Sequence, residues 1–182
     1  MANIFLASDH HLGHASIITF KDNAGNIIRN FNTLEEHDEH IIQQNNKVVK
    51  PQDRVYFLGD VTFSKKNLPI LARMNGRKVL IKGNHDKLAL KDYLPYFDDI
   101  RGSHQFDGML LTHIPVHHES LARWGLNVHG HLHHNRVMRT LNYLGQEFDN
   151  LSEVDPRYYN VSMEQLDNYT PISLEEIKCL IP

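Results

Sequence analysis

Cysteine is almost missing from this sequence: Cys179 is the single one in 182 residues. One thiol excludes an internal disulfide framework, a zinc finger with paired cysteines and a CxxC redox site. The sensible place for it, on a short C-terminal helix, is as a small core residue. Long hydrophobic runs are also absent. No apolar stretch approaches the roughly 18 residues of a bilayer span, so no membrane partner is expected. The first apolar run, Ile4 to Ala7, has no basic residues ahead of it and does not read as a signal peptide. These features predict a cytoplasmic protein in a reducing compartment. Excess charge of one sign is lacking too, because 19 Lys and Arg against 22 Asp and Glu leave a net −3. That balance argues against tracking nucleic acid by bulk charge. A serine nucleophile elbow, a P-loop and a dinucleotide fingerprint are all absent.

Histidine is what the sequence has in excess. Fourteen histidines outnumber the ten glycines, in a chain whose 41% hydrophobic and 23% charged residues are otherwise ordinary globular usage. Histidine without cysteine suggests bound metal or proton transfer, and spacing has to separate the two. With no internal repeat and no linker, residues 1–182 are expected to form one domain.

Apolar runs at Ile4–Ala7, Val55–Leu58, Val79–Ile81, Met109–Leu111 and Leu126–Val128 predict short buried strands, with a later one over Tyr158 to Val161. Thr33 and Glu36 form a capping-box pattern for a helix from Leu34 to Val49, and Pro51 stops it. Its apolar stripe is Leu34, Ile41, Ile42, Val48 and Val49. A short helix is expected around Leu68 to Met74. Ser173 and Glu176 cap a last one from Leu174 to about Cys179. The stretch Leu141 to Asp155, mixed and aperiodic, reads as a long surface loop.

The first five runs share one property. Each stops at a polar cluster containing Asp, His or Asn, and in sheet-based α/β architectures ligands gather outside the carboxyl ends of strands. Asp9 and His11 are two apart, so an extended backbone would project both to one side, as it would His131 and His133. A carboxylate with an imidazole makes a serviceable pair of metal ligands. Alone, Asp9 and Asp60 also fit turn caps, Gly83-Asn84 fits a tight turn, and His113 fits a polar strand end. Together they form an ordered set: Asp9-His10-His11, Gly59-Asp60, Gly83-Asn84-His85-Asp86, His113 and Gly130-His131-Leu132-His133. His129 and His131 offer a second register for the last block; the register beginning at Gly130 is preferred because it puts a glycine before the first histidine.

In those blocks the sequence resembles the calcineurin-like metallophosphoesterases, over about Asp9 to His133. The resemblance implies an α/β fold of two packed mixed β-sheets flanked by helices, a four-layer sandwich with metals at strand ends. It implies two divalent ions: Asp9, His11 and His133 on one, Asn84, His113 and His131 on the other, and Asp60 bridging. A mixed nitrogen and oxygen set without thiolate suits Mn, Fe, Zn or Ni, with manganese preferred. The implied reaction is phosphoester hydrolysis by a hydroxide held between the ions, with His85 protonating the leaving oxygen. His14 is a candidate for touching substrate phosphate. Expected substrates are nucleotides or other small phosphoesters, monoester or diester; long nucleic acid is possible but not preferred.

Two other readings compete: a non-catalytic interaction scaffold of the same fold, and a single structural ion. Retention of the whole ligand set together with His85 favours the enzyme. His10 is expected to point away from the ions. His37 and His40, in Glu35-Glu36-His37-Asp38-Glu39-His40, read as a solvated charged face. His117, His118, His129 and His134 flank the blocks, and His104 belongs to no motif.

Overall fold

The computed structural model describes residues 2–143 and 146–179, with the backbone alone for 141–151. Chain order is β1 (Ile4–Ala7), α1 (Leu34–Val48), β2 (Arg54–Phe57), β3 (Arg77–Ile81), α2 (Leu90–Tyr93), β4 (Asp99–Arg101), β5 (His104–Phe106), β6 (Met109–Leu111), β7 (Leu126–His129), β8 (Met138–Tyr143), β9 (Gln146–Val154), β10 (Tyr158–Asn160), β11 (Ile172–Ser173) and α3 (Leu174–Cys179). The larger sheet runs β11-β1-β2-β3-β4, with β1 to β4 parallel and β11 antiparallel at its edge. The smaller runs β10-β7-β6-β5, parallel except for β5. Both sheets are therefore mixed, and with the flanking helices they make the expected α/β architecture.

Parallel strands covered on both faces read as unbroken apolar runs rather than alternating ones. This is why Phe5, Leu6 and Ala7, Val55 to Phe57, and Val79 to Ile81 are all buried in succession. The two sheets share one hydrophobic core that also takes Met109, Leu111, Leu126 and Val128 from the smaller sheet. Tyr56 crosses between them, stacking on His104 at 5.4 Å. Beyond β1 the sheets are tied directly: the Ser8 amide donates to the Val161 carbonyl at 2.9 Å and the Met163 amide to Ser8 at 3.1 Å. That seam lies at the strand ends where the polar clusters meet.

Helix α1 begins where its cap predicts, with the Thr33 hydroxyl accepting from the Glu36 amide at 3.0 Å. Glu36 completes only half of the box, since its carboxylate takes the Asn32 amide at 3.0 Å instead. The α3 box is complete, with Ser173 and Glu176 each accepting the other's amide.

Four local expectations need correction. The helix expected around Leu68 to Met74 is a 3-10 helix over Lys65–Arg73, containing Pro69. The stretch Leu141 to Asp155, apart from residues 144 and 145 outside the described set, is largely strand, where β9 pairs with β8. Exposed Met138, Arg139 and Thr140 show why no inward-outward alternation announces this hairpin. His37 is no solvated residue: with Asp38, Ile41, Ile42 and Asn45 it forms the buried face of α1, although His40 remains partly exposed. Cys179 is exposed rather than in the core. Among the described residues no helix is long and apolar enough to cross a membrane.

Candidate metal centre

The polar ends of β1, β2, β3, β6 and β7 converge, but not by strand alternation. Asp9, His11, Asp60, His131 and His133 all have positive φ, between 51° and 70°, so none of the five is extended. They are five of the eight non-glycine residues with positive φ among those described. Left-handed backbone costs an L-residue on the order of 1 kcal/mol or more, and such strain collects at functional sites. The expected same-side projection of Asp9 with His11 therefore has a different cause. The segment after β1 lies beside the one after β2, with amides of Asp9, His11 and Leu12 donating to carbonyls of Gly59, Asp60 and Val61 at 2.9–3.0 Å.

Two glycines make the convergence possible. Gly59 has φ +95°, and a Cβ there would stand 2.5 Å from His113 Nδ1 and 2.6 Å from Gly83 Cα. A Cβ on Gly130 would collide with Ser8 Oγ and Asp9 Oδ2. Gly130 thus makes room for the Asp9 carboxylate, whose Oδ2 accepts from the His131 amide at 2.8 Å and the Ser162 hydroxyl at 2.9 Å.

Ligand atoms gather in two groups that share Asp9: Asp9, His11 and His133, and Asp9, Asp60 and His113, with the atoms of each group within 4.8 Å of one another. Asn84 Oδ1 lies 2.8 Å from His113 Nε2, and the His131 ring is 5.1 Å from that of His113. The shared residue is Asp9, where the sequence resemblance puts Asp60 between the ions.

The donor inventory fits cations. His133 Nδ1 meets Glu164 Oε1 at 2.8 Å, and an ionised carboxylate only accepts, so Nδ1 carries the proton. The Nε2 lone pair then faces Asp9 Oδ1 at 3.8 Å, as does His11 Nε2 at the same distance. Asp9 Oδ1 and both His11 nitrogens are buried with no hydrogen-bond partner. At His113 the same logic holds: Nδ1 donates to the Leu58 carbonyl at 2.7 Å, leaving Nε2 toward Asn84 Oδ1 and, at 3.5 Å, Asp60 Oδ2. Acceptors facing acceptors in a buried site require a cation or a captured proton. The pKa directions agree. Burial alone would lower His133 and His113, but Glu164 and Asp9 for the first, and Asp60 and Asp9 for the second, hold both above the usual histidine value. Burial would raise Asp9, and the histidines around it outweigh that to keep it well below the usual carboxylate range.

A second layer was invisible to motif reading. Arg29 is fully buried; it donates to the carbonyls of Asp9 and His10 and to Glu164 Oε1 at 2.8 Å. Its Nη1 also faces His37 Nε2 at 3.0 Å. A guanidinium only donates, so His37 accepts there and gives its Nδ1 proton to Asp38 at 2.8 Å. Glu164, with burial opposing and Arg29 and His133 prevailing, is held down to about 2. Carboxylate backing of this kind fixes a ligand histidine's tautomer and orientation. Asp86 acts likewise beside Asp60, its carboxylate accepting the amides of Asp60, Val61 and Gly83 at 2.8–3.2 Å. Only Asp86 carried any signal in the sequence, as the last member of the Gly83 block.

His85 and Asn84 are exposed at the mouth, and the His85 amide is fixed by Asp60 Oδ1 at 2.9 Å. Phe63 stands between His85, 4.6 Å away, and His14, 4.4 Å away. His10 lies in the core, stacked on Phe57 at 4.6 Å. His129 is buried in β7 and lines a separate cavity with Arg136 and Tyr158. His117 and His118 are exposed, with their tilted rings 4.2 Å apart.

No family model matches the chain. In solved structures it is similar to a protein of unknown function, AQ665 from Aquifex aeolicus, with a TM-score of 0.69 and 27% identity over 100% of both chains. Weaker overlaps are a Vps29 single mutant from Entamoeba histolytica (TM-score 0.41, 15% identity, 91% of this chain and 79% of that one) and a novel archaeal phosphodiesterase (0.43, 17%, 87% and 82%). Among curated proteins it is similar to the uncharacterized protein MJ1445 of Methanocaldococcus jannaschii, 34% identical over 100% of this chain and 92% of that protein. Identity at that level along the whole sequence places this chain in one family with the Methanocaldococcus protein.

Proposed function

We propose that this protein is a binuclear, metal-dependent phosphoesterase of the calcineurin-like class, one catalytic domain acting on a nucleotide or another small phosphoester. A single observation carries the reading: Asp9, His11 and His133, and Asp9, Asp60 and His113, bring their ligand atoms together in two adjoining groups, with Asp9 Oδ1 and both His11 nitrogens buried and without a hydrogen-bond partner. As the resemblance implies, Asp9, His11 and His133 would hold one divalent ion and Asn84, His113 and His131 the other, with Asp60 between them and Asp9, which both ligand groups share, beside it; manganese is the preferred metal. When bound, such ions polarise a phosphoryl oxygen and lower the pKa of coordinated water.

The chain's own residues supply the rest. Glu164 keeps the His133 lone pair turned inward, and the Leu58 carbonyl does so for His113. His85, exposed at the mouth on a backbone pinned by Asp60, hands a proton to the departing oxygen. His14, across Phe63 from it, meets the substrate phosphate.

Chelator-treated protein reconstituted with Mn²⁺ and given p-nitrophenyl phosphate and bis(p-nitrophenyl) phosphate tests this, with metal content counted alongside. Expected are two ions per chain, turnover lost to chelator and restored by the metal, and loss of both ions together in Asp60→Asn. Bound metal with no turnover of either ester under Mn, Fe, Zn or Ni would leave the interaction scaffold. One tightly held ion without turnover would leave a structural site.

A further inference from the structure

Between β1 and α1 the chain makes a turn whose residues the proposed chemistry does not use. Residues 20–28 fold on themselves: the Ile28 amide donates to Phe20 at 2.8 Å and the Asp22 amide to Asn26 at 2.9 Å. The Asp22 carboxylate takes the amides of Ala24 and Asn26 at 2.9 and 2.8 Å. The turn leads straight into Arg29, the buried anchor of the centre. It is thus a shaped element tied to the site rather than a loose connection.

Two of its apolar side chains, Phe20 and Ile28, line a cavity beside His131 and His133. This cavity of about 290 Å³ is lined by Ile17, Phe20, Ile28 and Leu132 together with Lys21, His131 and His133. That volume is about twice the roughly 150 Å³ that holds a benzene ring, so it has room for two fused rings. Phe20 is 41% exposed. A lone exposed phenylalanine needs no explanation. This one ends a row of rings along the mouth: His85 to Phe63 at 4.6 Å, Phe63 to His14 at 4.4 Å, His14 to Phe20 at 5.9 Å.

We propose that residues 20–28 and this aromatic row form a subsite for a planar aromatic group, making the substrate a phosphoester that carries a nucleobase or aryl ring rather than a purely aliphatic one. The assignment rests on the phosphoesterase reading for the phosphate's position. Phe20 stacks the ring, Ile17, Ile28 and Leu132 exclude water from its edge, and the phosphate lies toward His131 and His133.

The test is equilibrium binding to the Mn²⁺-loaded full chain, by calorimetry, of AMP, phenyl phosphate and ribose 5-phosphate. At least one aromatic ester is expected to bind about tenfold or more tightly than ribose 5-phosphate, within the range that stacking on an aromatic side chain supplies. Tighter AMP identifies a nucleobase; tighter phenyl phosphate identifies a simple aryl group. Phe20→Ala should erase the advantage and leave ribose 5-phosphate unchanged, while Phe20→Trp retains it; unchanged unfolding midpoints in both variants exclude misfolding. Equal affinities, no binding of any of the three, or a uniform loss in Phe20→Ala would overturn the subsite. Ring-selective binding without turnover of any ester sinks the phosphoesterase reading alone, and turnover without ring preference sinks the subsite alone.

Discussion

The two flanks of the centre are built in opposite ways. On the closed flank Asp9, His11 and His133 rest against Arg29, Glu164, His37 and Asp38, a buried chain of charges in which each donor has a specified acceptor. On the open flank His85 is exposed, and His14 and Phe63 half-buried. One flank holds charge in a fixed geometry; the other leaves side chains free to meet something that comes and goes. Holding needs desolvation and fixed backing groups, whereas proton delivery needs access. The sharing of Asp9 between the ligand groups puts the boundary at that residue.

The comparison breaks most visibly at Arg29. Removing one partner of a buried charge pair leaves the other uncompensated, so Arg29→Ala should cost about 3–5 kcal/mol in urea unfolding. The exposed pair Arg73–Glu39 is the contrast, where solvent screens the charges and Arg73→Ala should leave the unfolding midpoint almost unchanged. If the two variants unfold alike, the closed flank has no special role.

His85→Ala probes the other side. It should lower kcat by about 10²–10⁴-fold, the usual worth of a general acid. Metal content and unfolding midpoint should stay put, and an ester whose leaving group needs no proton should lose much less. Emptied metal sites would move His85 to the holding flank.

Acid should destabilise the protein through its buried histidines outside the ligand set. Burial, with Arg29 adding to it, pushes His10 down to about 3; burial also takes His129 to about 4 and lowers His37. A histidine with a depressed folded pKa is protonated in the unfolded chain first, so its stability contribution is complete above about 6.5 and erodes as pH falls through the interval below. Denaturation of the metal-free protein at pH 7 and pH 5 should show a loss of up to about 1.4 kcal/mol per pH unit for each such histidine. Flat stability across that range would mean these side chains are solvated.

The smallest effect belongs to the cap of α1, which carries His37 and Asp38 beneath the centre. Thr33→Ala should cost about 1 kcal/mol. Its metal stoichiometry should match the parent's.

The open and ligand-bearing residues were legible because their strands are covered on both faces: an unbroken apolar run that stops at Asp9, Asp60 or His113 advertises a strand end. The reason they converge was not legible, since positive φ at Asp9, His11, His131 and His133 leaves no trace in a spacing of two. The backing residues are harder still. Arg29 and Glu164 are single polar residues 135 positions apart, and nothing local to either predicts the pairing. His37 misled because a buried histidine and its aspartate look, in a run of charges, like a solvated helix face. The β8–β9 hairpin stayed hidden because its described side chains are largely exposed, so they carry no periodic pattern.

The bond from the Ser162 hydroxyl to the Asp9 carboxylate closes a circuit of 153 residues. A chain emerging from the ribosome therefore presents its first ligands long before their final restraint exists. Whatever chemistry the centre performs is withheld until residue 162 has been made, so translation products that stop short of it carry the histidines without the means to set them in place.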